Sequence, residues 1–397
     1  MGLAIYVHIP YCLQRCRYCD FTTFEAHQIM PPEEYLQLVL AEIRNRHQHL
    51  TTRTLDSVYF GGGTPSLVPA EHIVAILNEL ANVGFKSGPH TEVTVEINPA
   101  TVDPRKLETY IKNGVNRFSV GAQTFNDNLL TLCGRKHNAN DTRQTLKLLN
   151  SHDVNYSFDL LFALPGQTMA GLQADLDEVA TFKPRHLSAY CLTVPEGHPM
   201  ASNRPLEDEQ IKMFDLIESE LLKVNIKKYE ISNFAQPGFE SRHNQTYWND
   251  QPYWGLGLSA HSYLPVGPWG TRFWNPKTWP EYVAQAHLPF SAAKNLPESL
   301  PVGQKEQLDV HESLSDYCHM FLRTESGLNL SALRNKYGPR SDLLAPRLQR
   351  LLNRGFLTQT GDQISLSRHG QLLSNQVYAE LLVTAEDWAL PQTPTLA

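Results

Sequence analysis

Three of the chain's six cysteines fall within eight positions, as Cys12, Cys16 and Cys19 of "HIPYCLQRCRYCDFTTF". Thiols at C-x3-C-x2-C spacing in one short loop are ligands of a metal or cluster, a disulfide pair with a leftover thiol, or neighbouring structural cysteines. Zinc sites join a C-x2-C pair to a second Cys or His pair further along, and none of that type follows here. Six cysteines in 397 residues are too sparse for a disulfide scaffold, and Cys133, Cys191 and Cys318 read as scattered buried thiols. A 4Fe–4S cluster is normally held by four thiolates. Three of them leave one iron with an open position, as catalytic metal sites keep one.

Such a loop needs a scaffold. Up to about residue 195, β-rich runs alternate with helix-length segments, and 3–9, 55–63, 92–99, 115–123, 154–166 and 186–194 read as strands. Near-continuous apolar strands alternating with helices predict a parallel sheet with right-handed crossovers. Six strands are fewer than the eight of a closed barrel. The expected fold class is therefore α/β, a partly open (β/α)6 barrel. Function in such barrels gathers at the C-terminal strand ends. Those ends carry His8, Gly61-Gly62-Gly63-Thr64, Glu96, Gln123, Asp159 and Thr193. Each polar residue taken singly could cap the next helix; together they read as the lining of one pocket.

Past residue 195 the regular alternation fades. A helix is expected over 207–225, a strand over 227–235, and an aromatic-rich stretch beginning "HNQTYW" over 243–274. The composition of 288–303 is that of a linker. Beyond it, helices near 307–323, 330–337 and 341–354 precede a hairpin turning at Gly361-Asp362, which predicts a mostly helical, winged-helix-like unit. The expected division is residues 1–290 for the barrel and its extension, and 304–397 for that unit.

Composition narrows the function classes. The formal charge of −7, from 34 Lys+Arg against 41 Asp+Glu, argues against a protein built to grip phosphate backbones, so no nucleic acid is expected. One region departs from this: Arg334, Lys336, Arg340, Arg347, Arg350, Arg354 and Arg368 face only Asp342 and Asp362 over 331–370. No apolar run approaches the roughly 20 residues of a membrane span. The start "MGLAIYVHIPYC" has no signal-peptide pattern. A cytoplasmic protein is expected, with any membrane association peripheral.

The cysteine loop after the first strand, followed in order by "YFGGGTP" (59–65), resembles the radical S-adenosylmethionine (SAM) superfamily. That resemblance implies a 4Fe–4S cluster on Cys12, Cys16 and Cys19 whose open iron is chelated by SAM. Over almost the whole chain, "YVHIPYC", "CRYCDF", "FGGGTPS", "VEINP", "NRFSVGAQTFND", "GRKH", "DLLFALPGQT" and "HLSAYCLTVPEG" resemble the oxygen-independent coproporphyrinogen III oxidase-like branch. By position they imply SAM contacts at Tyr6, Tyr18, Gly62, Gly63, Thr64, Glu96, Gln123, Arg135, Asp159 and Thr193. Two departures weigh against the oxidase reaction, in which a deoxyadenosyl radical attacks a porphyrinogen propionate. Phe21 stands where the oxidase pattern has a fourth cysteine, and the oxidase's N-terminal extension has no counterpart before the first strand. "HNQTYW" (243–248) instead matches the sister group of HemW-type heme chaperones. The resemblance then implies heme as a further ligand, with His243 as its axial imidazole, and heme-accepting partners such as respiratory enzymes, the protein acting as monomer or homodimer.

Overall fold

The computed structural model describes residues 2–287 and 304–389. All six expected strands are present: β1 (Leu3–Ile9), β2 (Thr54–Gly62), β3 (Lys86–Ile97), β4 (Arg117–Gln123), β5 (Asn155–Phe162) and β6 (His186–Cys191). Each pairs in parallel with the next. Their inward and outward faces are both covered, which is why Ile5, Val7, Val58, Phe60, Val95, Phe118, Phe158 and Leu187 are all buried.

The crossover helices start where the sequence offers caps. α1 (Pro32–Arg46) opens on a proline with Glu33 and Glu34 in its first turn, where acidic charge suits the helix dipole. α2 (Ala70–Asn82) follows Pro69. Asp103 caps α3 (Pro104–Lys112), Asn138 caps α4 (Ala139–Ser151) and Thr168 caps α5 (Met169–Phe182), each side chain accepting from a first-turn amide.

The sheet does not close. Strand β6 is continued by the antiparallel pair β8 (Asn233–Ala235) and β7 (Lys227–Lys228), lying beyond α6 (Glu207–Lys223). The single strand expected over 227–235 is thus two. Glu230 accepts from the Ser232 amide (3.0 Å), which turns the chain between them. On the other side, β9 (Tyr253–Leu256) pairs in parallel with β1. β10 (His261–Leu264), β11 (Thr271–Trp274) and β12 (Lys305–Gln307) extend that edge in antiparallel order. The result is a partly open (β/α)6 barrel inside a 12-stranded sheet. Strand β3 starts six residues before its expected position, with a register shift between Leu55 and Ser57 opposite it. Gly88 and Pro89 lie in that early part of the strand, and proline in a strand belongs at such an irregularity.

The expected linker, 288–303, lies outside the described residues. Beyond it, α8 (Val310–Leu322), α9 (Leu330–Tyr337) and α10 (Ala345–Asn353) pack with a three-stranded antiparallel sheet. That sheet comprises β13 (Leu328–Asn329), β14 (Leu357–Thr360) and β15 (Gln363–Leu366), and the hairpin turns at Gly361-Asp362 as expected. This winged-helix-like arrangement has its own apolar core, around Leu314, Leu322, Leu344, Leu351 and Ile364. No helix among the described residues is long and apolar enough to cross a membrane.

Candidate functional site

The C-terminal ends of β2 to β6 surround a cleft of about 440 Å³. The cysteine loop forms one wall, with Cys12, Cys16 and Cys19 all lining it. Tyr18, Gly62, Gly63, Thr64, Glu96, Gln123, Arg135 and Asp159 line it too. These eight of the ten expected SAM contacts come together from segments far apart in the chain.

The glycine run is required by close approach. Gly63 N–H donates to Ile9 O (2.8 Å) and Thr64 N–H to Tyr11 O (2.7 Å), which pins the strand end against the segment entering Cys12. A Cβ on Gly63 would lie 2.7 Å from both of those carbonyl oxygens. Gly62 has φ +106°, and a Cβ there would fall 2.3 Å from the His8 ring. Both positions exclude a side chain.

Glu96 and Asp159 are the acidic residues of the floor. Glu96 Oε1 accepts from Tyr59 OH (2.8 Å) and Oε2 from Gly62 N–H (3.2 Å). Burial outweighs these bonds and pushes its carboxyl up to about 7. Burial likewise raises Asp159, which accepts from Ser119 Oγ at 3.4 Å. Both carboxylates line the cleft, and among the described residues neither lies within ion-pair distance of a cation, although Arg117 acts on both at longer range. Arg135 reaches toward the cysteine loop: Nη1 donates to Cys16 Sγ (3.4 Å), Nη2 to Gly121 O (2.7 Å) and to Asn98 Oδ1, while Nε is buried without a partner. Gln123 is held in the left-handed region, φ 65°, at the irregularity ending β4. Tyr18 packs against Cys133, Leu161, Leu164 and Leu192.

Two expected contacts lie elsewhere. Tyr6 sits behind the floor, its hydroxyl 3.1 Å from His8 Nδ1. His8 Nε2 is 2.8 Å from Thr22 O, and a carbonyl only accepts, so Nε2 carries the proton and Tyr6 donates to Nδ1. Burial lowers His8 to about 4, keeping that neutral tautomer. Tyr6 thus braces the loop just past the cysteines without lining the cleft. Thr193 is exposed beyond β6 and donates to Cys191 O (3.3 Å), pointing its hydroxyl along its own chain. Cys191, expected buried, is exposed, whereas Cys133 and Cys318 are buried.

His243 is not on a loop. It lies in the first turn of α7 (Arg242–Trp248), which packs against β2, and it is only 2% exposed. Nδ1 is 2.8 Å from Ser57 Oγ and Nε2 2.8 Å from Tyr247 OH; the ring stacks on Tyr59 at 4.9 Å. Burial lowers its pKa to about 3. In this arrangement both nitrogens sit against hydroxyls, and a bond to iron would displace one of them. That packing spans 186 positions of sequence, which no local pattern signals.

Sequence reasoning missed Tyr59, Asn98, Arg117, Ser119, Ser188, Tyr190 and Asn244, all of which line the cleft. Some were findable. Arg117, Ser119, Gly121 and Gln123 all face it, as do Glu96 with Asn98. Counting in twos from Gln123 and Glu96 recovers these. Counting back from Thr193 gives Cys191 and Ala189 and misses Ser188 and Tyr190.

The donor set fits the cluster and SAM better than a single ion. No three His, Cys, Asp or Glu side chains among the described residues converge closely enough to hold one metal ion. The three thiols share one wall of a cleft, which suits a multi-iron cluster whose ligands need not meet at one atom. The two unpaired carboxylates and the orphaned Arg135 Nε suit a ligand carrying both an ammonium and a carboxylate.

Residues 6–179 match the model of the radical SAM superfamily. The heme chaperone HemW of Bacillus subtilis (strain 168) is 31% identical over 389 residues, covering 95% of this chain and 98% of that protein. The HemW of Escherichia coli (strain K12) is 27% identical, covering 94% and 97%. Among solved structures, E. coli coproporphyrinogen III oxidase (HemN), a radical SAM enzyme, aligns with TM-score 0.78 over 96% of this chain and 90% of its own. At 20% identity that likeness speaks for the fold alone. By sequence, cysteine loop and barrel, the chain belongs to the HemW heme-chaperone family of the radical SAM superfamily.

Proposed function

We propose that the cleft holds a 4Fe–4S cluster on Cys12, Cys16 and Cys19 with SAM across the strand ends, and that the protein binds heme and delivers it to target proteins, respiratory enzymes among them. The observation that carries this reading is the meeting of three thiols with two unpaired carboxylates in one cleft, in a chain of this family. Bound there, a cluster supplies single electrons for cleaving SAM.

The chain's own residues divide the remaining work. Glu96 accepts from the ammonium, with Gly62 and Gly63 leaving room for it. Arg135 turns from Asn98 and Gly121 to the carboxylate, Asp159 accepts from a ribose hydroxyl, and Tyr18 packs on the adenine. Tyr6 acts only through His8, by fixing the loop. Phe21 beside Cys19 leaves no thiol at the fourth position of the oxidase pattern, which supports heme handling over porphyrinogen decarboxylation.

Anaerobic reconstitution is expected to load about four irons per chain. Cys16→Ser should abolish the cluster absorbance; a full cluster in that variant would sink the assignment. Incubation with SAM, a reductant and coproporphyrinogen III should yield no protoporphyrinogen at enzymatic rates, and rapid product would favour the oxidase instead.

A further inference from the structure

Exposed apolar side chains are unevenly placed on this molecule. Among the described residues seven large ones are exposed, and three of them, Leu13, Phe21 and Tyr190, line the same cleft. Phe21 is 65% exposed and Leu13 55%. Leu13 and Phe21 stand on the cysteine loop and Tyr190 lies further in, near Asp159 and Glu96, so an apolar side runs from the mouth into the cleft. Exposed apolar groups lining one cavity are a binding face, because solvated clusters of this kind are otherwise rare. The presentation of Phe21 is held in place. Arg15 Nη2 donates to Cys19 O (3.0 Å) and Phe21 O (3.3 Å), and Thr23 N–H donates to Phe21 O (2.8 Å).

The charge around this face is positive. Arg15, Arg17 and Lys136 are exposed, and among the described residues none of them lies within ion-pair distance of a carboxylate. Arg17 N–H donates to Cys133 O (3.0 Å), and the Arg17 side chain lies beside Gly134, which sets it on the turn that carries Lys136. One acid, Asp20, also stands at the mouth. The contrast with the C-terminal unit is informative: there, most arginines are engaged by carboxylates. Unpaired cations beside exposed aromatics call for an anion with a large apolar face.

We propose that this mouth is where heme docks, its macrocycle against Leu13, Phe21 and Tyr190 and its propionates toward Arg15, Arg17 and Lys136. The proposal rests on the heme-binding reading above and specifies its site. Heme so placed needs no nitrogen from His243, whose ring is buried behind the floor. It also caps the cleft, so SAM would have to enter before heme. Phe21 then has a use of its own at the position where a fourth thiol is lacking.

The test is hemin titration of the full chain carrying its reconstituted cluster, followed by Soret absorbance. Leu13→Ser with Phe21→Ser should raise the hemin Kd about tenfold or more. Arg17→Glu with Lys136→Glu should weaken hemin similarly, yet leave binding of the hemin dimethyl ester unchanged. His243→Ala should shift the Kd by less than about twofold. Rim variants that bind like wild type, with binding lost in His243→Ala, would overturn the proposal and return heme to the imidazole. A wild-type protein that takes no hemin would instead defeat the heme-binding reading itself. Iron content is read for every variant; if the serine pair loses the cluster, the charge pair still decides.

Discussion

Glu96 links the geometry of the floor to a measurable pH dependence. Its carboxyl is raised from 4.5 to about 7, chiefly by burial. In the folded, ligand-free protein it keeps a proton that the unfolded chain releases near the ordinary carboxylate value. The native state therefore binds more protons between those two values, so this group's contribution to stability is greatest below the lower one and falls as pH rises to about 7. An ammonium arriving beside it reverses the preference and expels the proton. SAM binding should accordingly release up to about one proton between roughly pH 5 and pH 7, and tighten as pH rises. Glu96→Gln should remove both effects and weaken SAM about tenfold or more. Calorimetry in two buffers of different ionisation enthalpy checks this, and a wild-type enthalpy independent of buffer would rule it out. The residues of the site were legible to different degrees. The three cysteines, the glycine run, Glu96 and Asp159 stood out because their types are unusual at parallel-strand ends. Arg117 and Ser119 needed only the period of two. Tyr59 did not look functional, because an aromatic in a buried strand has an ordinary explanation in packing.

At the scale of elements, α7 shows where sequence patterns lose their hold. The six barrel strands were readable because each is an apolar run bounded by turns. Seven residues of "RHNQTYW" carry no helical periodicity strong enough to distinguish a helix from a loop. What makes them helical is tertiary. Ser241 caps the helix from its own side chain, and Glu92, midway along β3, accepts from Ser241 Oγ (3.3 Å), Arg242 N–H (3.1 Å) and His243 N–H (3.1 Å). One carboxylate thus satisfies donors that a helix start leaves open, with favourable charge for the dipole. Glu92→Ala would strand those donors and should cost about 2–3 kcal/mol in urea unfolding. Hydrogen exchange should quicken at the α7 amides while those of α4 stay protected. Equal acceleration in both helices would show that Glu92 serves global stability and not this start.

On the scale of the whole molecule, α7 also joins the barrel to the C-terminal unit. Its first turn holds the floor through Ser57 and the Tyr59 stack, and its last residue, Trp248, lies under Arg323, whose guanidinium carbon is 4.4 Å from the ring centroid. Arg323 closes α8, and its carbonyl accepts from Ile231 N–H (3.1 Å) beside β8. The basic stretch 331–370 is spent on such contacts. Arg368 meets Asp215 and Glu218 across to α6, Lys336 meets Asp250 just after α7, and Arg350 and Arg354 share Glu380. Exposed pairs of this kind add little stability one by one, so the apolar and aromatic contacts should carry the docking. Trp248→Ala, which empties a half-buried aromatic position, should therefore cost about 2–4 kcal/mol. In a cycle of Trp248→Leu and Arg323→Met, the coupling should be about 0.5–2 kcal/mol, the range of a partly desolvated cation over a ring. With the junction loosened, barrel and C-terminal unit should also unfold at separate denaturant midpoints, seen as tryptophan fluorescence parting from far-UV circular dichroism. Additive single variants with one shared midpoint would mean that α7 merely lies between two units held together by other contacts.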